Sequence, residues 1–407
     1  MRVDPDCADL GEKRRLRRRR WAVVVTAALA AAIGAGLLIS GVASRHRSAP
    51  PSEPIKVAVS PPAKPPPSGE RFGVNVNRLF NDRAYPQQQI DAQLQALRGT
   101  GATIARSDAL WEVTEVQPPI GGVHRYDWAF DDTVAGSLAA HDIRWLPIID
   151  YSAPWARSTP GKLHSPPRSA SDYGAYAAAF AARYGLGGSF WRARPDLAAE
   201  PVDTYEIWNE PDNPGFWSPT PRPTAYADLY LSARDAIDGV DPAARVIVGG
   251  LTHPQSFLPE IVRVRPELRG EIDGVAIHPY GLSPAGVLRN IRIARLALRS
   301  IGMGATPLYL TEFGWTAHPS GAPSAVRESP RPGYISRSLA ALGHLDCGVA
   351  AVVLYTWVTP ESNPAHREDS YGIHPPNGGT TPDTIAFADG LKEAAGHSPA
   401  LMLCGVG

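Results

Sequence analysis

From Arg71 onward the chain alternates short apolar runs with helical stretches, and this rhythm restricts the possible folds more than any other feature. The runs predicted as strands are 72–77, 103–107, 144–150, 204–209, 245–249, 273–278, 307–312 and 349–357. Helices are predicted at 87–98, 131–140, 171–184, 225–238, 256–264, 284–301, 333–345 and 383–395. A parallel sheet needs a long crossover between successive strands, and a helix supplies it. Eight strand-helix pairs therefore predict an α/β fold, a single (β/α)8 TIM barrel over residues 70–407. The competing fold, a doubly wound open sheet, would need a glycine-rich phosphate turn after its first strand. Gly73-Val-Asn-Val-Asn77 is not such a turn.

In a barrel of this kind the C-terminal strand ends converge on one mouth, where chemistry is placed. The sequence puts Asn75 and Asn77, Arg106, Asp150, Asn209 with Glu210, His278 with Tyr280, Glu312, and Trp357 at those ends. Singly, each has an ordinary reading: Asn77 as a turn former, Arg106 as a salt-bridge partner, His278 as a core histidine with its hydrogen bonds met. Together on one face they point to a site. The sharpest stretches are Thr204-Tyr-Glu-Ile-Trp-Asn-Glu-Pro-Asp212 and Pro307-Leu-Tyr-Leu-Thr-Glu-Phe-Gly-Trp315. Each is an apolar strand ending in a glutamate, the first stopped by Pro211.

Strands four and seven lie on different sides of a barrel, so Glu210 and Glu312 can face each other across its mouth. Retaining glycoside hydrolysis needs such a pair, about 5–5.5 Å apart, one as nucleophile and one as acid then base. Asn209 is placed to hold a sugar 2-hydroxyl, and His278 and Tyr280 to hydrogen-bond around the nucleophile. Arg106 would keep Glu312 charged, a low-dielectric site would raise the pKa of Glu210, and Trp357 offers a flat face for a sugar ring. No cofactor is called for, and no His-Glu-x-x-His or paired Cys-x-x-Cys pattern suggests a metal.

Trp208-Asn209-Glu210-Pro211 together with Thr311-Glu312-Phe313-Gly314-Trp315 resembles the clan of retaining (β/α)8 glycoside hydrolases. Tyr126-Asp-Trp-Ala-Phe-Asp131, Ile143-Arg-Trp-Leu-Pro-Ile-Ile-Asp-Tyr-Ser152 and Val275-Ala-Ile-His-Pro-Tyr280 are similar to glycoside hydrolase family 39 and its bacterial exopolysaccharide-cleaving relatives. The resemblance spans residues 70–395. It implies Glu210 as general acid/base and Glu312 as nucleophile, with Asn209, His278, Tyr280, Arg106 and Trp357 in support; Asn77, Asp150 and Trp315 complete the expected substrate contacts. Two departures stand out. Several clan members have histidine where Asp150-Tyr151 ends the third strand, and no segment long enough for the family's frequent accessory β-sandwich follows residue 395.

Charge divides the chain unevenly. Residues 1–47 hold ten Lys/Arg against four Asp/Glu; with 40 of each overall, the remainder carries 30 against 36, net −6. The basic run Lys13–Arg20 would suit nucleic acid, but the uncharged stretch 21–43 follows it directly. That stretch is long enough to span a bilayer, and a basic N-terminal flank keeps its own side cytoplasmic. The organisation expected is a basic cytoplasmic tail (1–20), a transmembrane signal anchor (21–43), with a cleaved signal peptide as alternative, a Pro-rich linker (44–69) and the exported barrel. Nucleic-acid binding is not expected, and the protein reads as a monomer tethered through its N-terminal helix.

Cys347 and Cys404 are the exported thiols, and an oxidising compartment would let them pair. Glu206 shares the parity of Glu210 and reads as structural, bridging to an arginine on a neighbouring strand. Trp111, Trp155, Trp217 and Trp315 fall in loops above the barrel, as sugar platforms or as loop packing. His141, His318 and His374 read as solvent-facing. The function expected is retaining hydrolysis of a β-linked extracytoplasmic polysaccharide or glycoside. The alternatives are a catalytically idle tethered glycan-binding protein and a transglycosylase of wall or capsule assembly.

Overall fold

The computed structural model describes residues 71–81, 85–317, 324–359, 367–396 and 398–405. The predicted tail, anchor and linker, and His318, lie outside the described residues. No helix among the described residues is long and apolar enough to cross a membrane.

Eight parallel strands close in chain order into a barrel, β8 pairing back onto β1. They are β1 (Phe72–Asn75), β2 (Ile104–Leu110), β3 (Arg144–Asp150), β4 (Thr204–Ile207), β5 (Arg245–Leu251), β6 (Gly274–Ile277), β7 (Leu308–Phe313) and β8 (Val349–Leu354). The principal crossover helices are α1 (Gln87–Gly99), α2 (Ala129–Ala139), α3 (Ala170–Tyr184), α4 (Pro223–Asp238), α5 (Pro254–Val264), α6 (Pro284–Ser300), α7 (Arg331–Gly343) and α8 (Pro382–Ala395). Pro223, Pro254 and Pro382 sit in the first helical turn, where a missing N–H costs nothing, so these helices start earlier than predicted. Side chains of Ser169, Ser283 and Thr381 cap α3, α6 and α8 by accepting from the first-turn amides of Asp172, Gly286 and Thr384.

The lower barrel is filled by Ile104, Leu146, Ile247, Ala276, Tyr309, Ala351 and Val353. Inward positions alternate along each strand, so two residues higher the same faces present Arg106 on β2, Glu206 beyond Thr204 on β4, and His278 just past β6. The barrel thus changes from apolar to charged within one layer.

Three of the strand ends that differ from expectation bear on the mouth. β2 runs to Leu110, because Asp108 and Leu110 continue the ladder opposite Ile148 and Asp150. β1 stops at Asn75, because Asn77 begins a short helix, Asn77–Phe80, whose first amide bonds back to Asn75 Oδ1 at 3.0 Å. β8 stops at Leu354, three residues before Trp357.

The C-terminal segment is tied to the edge of β8. Cys347 and Cys404 form a disulfide with Cα atoms 5.1 Å apart. Beside it, the Asp346 carboxylate accepts the backbone N–H groups of Leu403, Cys404 and Gly405 at 2.7–2.8 Å. The bridge joins residues 57 apart, for which loop-closure entropy gives about 4 kcal/mol. Reducing it, or substituting Cys347→Ser, should lower the unfolding free energy by about 2–4 kcal/mol in urea melts. An unchanged midpoint would mean that the Asp346 hydrogen bonds hold the segment unaided.

Candidate active site

The barrel mouth is organised by one buried guanidinium. Arg106 is fully enclosed; Nε and Nη2 bond Glu206 at 2.7 and 2.9 Å, Nη1 bonds Glu312 at 2.7 Å, and Nη2 also reaches Asn209 Oδ1 at 3.0 Å. Burial opposes its charge, yet Glu206 and Glu312 outweigh that and keep the guanidinium more firmly protonated than usual. Glu206 fills its remaining acceptor sites with Gly250 N–H at 2.8 Å and Thr311 Oγ1 at 3.2 Å. It is a structural acid as expected, but its arginine stands on β2, two strands away, reaching through the barrel interior. Removing one partner of such a pair strands a buried charge. Arg106→Met should therefore cost about 3–5 kcal/mol in urea unfolding, and Arg106→Met with Glu206→Leu should recover most of it.

Glu312, near the end of β7, meets three groups. Arg106 binds Oε1, Tyr280 donates its hydroxyl to Oε2 at 2.9 Å, and His278 Nδ1 lies 3.6 Å from Oε2. Burial and the neighbouring Glu312 charge push the Tyr280 phenol well up, so it stays a donor.

Glu210 follows β4 in a contorted turn. Trp208 and Glu210 both hold positive φ, 67° and 44°, a region costing about 1–3 kcal/mol for such residues. The turn is held from several sides. Trp208 Nε1 donates to Phe216 O at 2.7 Å, and Asp212 accepts Thr252 N–H at 3.2 Å and His253 N–H at 2.5 Å. Glu210 Oε1 lies 2.7 Å from His278 Nδ1, and Oε2 accepts from Asn213 Nδ2 at 2.5 Å. One oxygen of Glu210, one of Glu312 and a His278 nitrogen all lie within 4.8 Å of one another. That closeness matches the retaining spacing and falls short of the roughly 6.5–9.5 Å that an intervening water needs.

The expected rise in the Glu210 pKa is not what the site produces. Burial does push it up, but the hydrogen bond and charge of His278, with Asn213 and Arg106 behind them, bring it below the ordinary value. His278 moves the opposite way. Burial disfavours its cation, but Glu312 and Glu210 outweigh that and raise it. The imidazole fits only because residue 250 is glycine: a Cβ there would stand 2.0 Å from Nε2.

Arg106, Asn209, Glu210, His278, Tyr280 and Glu312 thus meet in one place. Four other expected contacts are corrected. Trp357 is wholly buried, stacked on His374 and donating to Gln93 Oε1 at 2.8 Å, so it offers no face to a sugar. Trp315 is buried too, its Nε1 donating to Gly281 O at 2.8 Å. Asn77 faces Asp108, donating to it at 2.8 Å and accepting its N–H at 2.9 Å. Asp150 is fully enclosed with both carboxyl oxygens unpartnered among the described residues; burial and then the charge of Asp108 raise its pKa well above normal.

Of the remaining loop tryptophans, Trp111 and Trp217 are buried and Trp155 is half-buried. His374 is buried against Trp357, not solvent-facing, while His141 is half-buried and bonds Ser137 O.

Sequence reasoning missed three contributors. Tyr355, just past β8, is a second half-buried aromatic of the mouth beside Tyr280; its ring meets Tyr280 at 6.5 Å and Tyr371 at 5.2 Å. Its parity with Ala351 and Val353 was the available signal. Asn213 had none, since a side chain three residues beyond the turn reaches Glu210 only through the turn's shape. Asp108 was hidden by ending β2 too early. Burial, opposed by Arg106 and by the amides of Asn81 and Asn77, raises the Asp108 carboxyl to about 6 from 3.8. A folded-state pKa above the unfolded one gives stability complete below the unfolded value and lost as pH rises through the folded one. Asp108→Asn should accordingly flatten the pH dependence of urea stability between about pH 4 and 6.

No family model matches the sequence, and no curated protein matches it. In structure it is similar to a GH39 enzyme from Xanthomonas axonopodis pv. citri (TM-score 0.61, 19% identity, 80% of this chain and 66% of that one). It is similar also to a monomeric beta-xylosidase from Caulobacter crescentus CB15 (0.61, 21% identity, 80% and 68%). A third is a GH5_18 protein from Streptomyces cattleya solved with GlcNAc (0.61, 17% identity, 81% and 82%). The chain spans about two thirds of the length of the first two. Its structural neighbours are therefore (β/α)8 glycoside hydrolases of families 39 and 5, and at these identities the likeness is one of fold.

Proposed function

We propose that the protein is a retaining glycosidase that cleaves O-glycosidic bonds of a β-linked, extracytoplasmic polysaccharide or glycoside by double displacement. The observation that carries this reading is the approach of Glu210 and Glu312 within 4.8 Å across the mouth, one on Arg106 and Tyr280, the other on His278 and Asn213. In the first step a Glu312 oxygen bonds to the anomeric carbon while the bond from that carbon to the glycosidic oxygen breaks, and the departing glycosidic oxygen takes a proton from Glu210. Arg106 balances the Glu312 charge before attack, and the Tyr280 hydroxyl aims the carboxylate. In the second step Glu210 accepts a proton from water as the water oxygen bonds to the anomeric carbon, and the bonding electrons return to Glu312. Asn209, pinned by Arg106, is at hand for a sugar hydroxyl, and Tyr355 supplies the aromatic surface assigned by sequence to Trp357.

The Cys347–Cys404 disulfide supports an oxidising compartment, in keeping with export behind an anchor at 21–43. An idle glycan-binding protein would have no use for two opposed carboxylates so closely held.

The test uses the full chain against aryl β-glycosides and extracellular polysaccharides, beside Glu312→Ala and Glu210→Ala. Wild-type turnover should fall by at least about a thousandfold in Glu312→Ala, and azide should rescue Glu210→Ala as a glycosyl azide. Binding of a glycan by wild type and Glu312→Ala alike, with no cleavage by either, would replace hydrolysis with the binding-protein reading.

A further inference from the structure

The hydrogen bonds of Glu210 are asymmetric in what they permit. Asn213 Nδ2 lies 2.5 Å from Glu210 Oε2. Its amide cannot turn over, because Gly215 N–H donates to Asn213 Oδ1 at 2.9 Å, and a reversed amide would set two donors against each other. The backbone locks the same geometry: Asn213 N–H donates to Glu210 O at 3.0 Å, and Asn213 O accepts from Phe216 and Trp217 at 2.9 and 2.8 Å. Nδ2 is therefore a committed donor, and a proton on Oε2 would collide with it.

Every element around Glu210 adds a charged or titratable neighbour. His278 beyond β6 touches Oε1 at 2.7 Å, and Glu312 on β7 is within 4.8 Å. Arg106 on β2, Tyr151 beyond β3 and Asp212 in the same loop complete the surroundings. Arg106 is already committed to three acceptors, Glu206, Glu312 and Asn209, so among the described residues Asn213 alone fixes Oε2.

We propose that Asn213 is a positioning residue that holds Glu210 Oε2 as a proton acceptor in the free protein. It favours the general-base half of the reaction and limits the fraction of Glu210 available as an acid. This rests on the double-displacement reading. Glu210 must shed the Asn213 contact at Oε2, or carry its proton on Oε1, before it can protonate a leaving group. The lowered Glu210 pKa agrees with this arrangement. The cost should be greatest for poor leaving groups, which need a full proton, and least for activated aryl glycosides, which need little acid assistance.

The test has two arms, both on the full chain. In the first, side-chain carboxyl 13C-labelled glutamate is titrated by NMR in wild type, Asn213→Ala and Asn213→Asp, the Glu210 resonance being assigned by its loss in Glu210→Gln. Asn213→Asp keeps the acceptor for Gly215 and replaces the donor with a like charge, so it tests the donor without loosening the loop. Glu210 should titrate below the ordinary carboxylate range in wild type, about one pH unit higher in Asn213→Ala and higher again in Asn213→Asp.

In the second arm, the basic limb of kcat/KM for alkyl and nitrophenyl β-glycosides should move up by the same interval in Asn213→Ala, the alkyl substrate gaining more. An unchanged Glu210 titration in both variants overturns the proposal. The expected titration without turnover by wild type on any substrate would keep the assignment of Asn213 and overturn the glycosidase reading alone.

Discussion

The site depends on the buried ion pair of Arg106 with Glu206. A guanidinium sealed inside a barrel is costly unless its donors are met, and here Nε, Nη1 and Nη2 all find acceptors. Glu206 in turn is completed by a backbone amide of β5 and a hydroxyl of β7. One layer of charge therefore ties β2, β4, β5 and β7 together, and Glu312 hangs from it. The same cation that stabilises the interior also holds Glu312, the nucleophile proposed here, which couples the integrity of the barrel to the chemistry proposed for its mouth.

The other carboxylate is held by different means. Glu210 is presented by a turn in which it and Trp208 are left-handed, and by a loop bonded through Asp212 to Thr252 and His253 just past β5. Such a strained turn persists only where its surroundings over-determine it. The packing of Trp208 on Trp217, 5.2 Å between ring centres, is part of that determination. Glu312 meets a cation, a phenol and, farther off, an imidazole; Glu210 meets an imidazole and an amide. Two chemically identical side chains are thus given different partners, as the acid/base and nucleophile roles proposed for them would require.

The aromatic residues show where reading by motif goes wrong. A tryptophan near a strand end suggests a sugar platform, yet Trp357, Trp315, Trp111 and Trp217 are all interior. Large rings bury much apolar area and satisfy one N–H each, so helix-sheet packing claims them first. At the mouth Tyr280 and Tyr355 stay half-buried, standing edge to face with each other and with the buried Tyr371. Asp150 is a similar case: its place on β3 was correctly located, but its enclosure was not visible in sequence.

What the sequence determined by itself is the succession of elements and the identity of the two opposed glutamates. Hydrophobic periodicity and proline punctuation are local properties, and the order of eight strand-helix pairs leaves a parallel closed barrel as the fold that buries them. Strand parity and the barrel's single mouth then bring Glu210, His278 and Glu312 to the same end. Tertiary structure decided the partners: Arg106 with Glu206 across the interior, Asn213 with Glu210 around a turn, Trp357 with His374 and Gln93 in the interior. It also decided the direction of the Glu210 pKa. These depend on distances between residues far apart in the chain, and on how many donors crowd one oxygen, which periodicity does not encode.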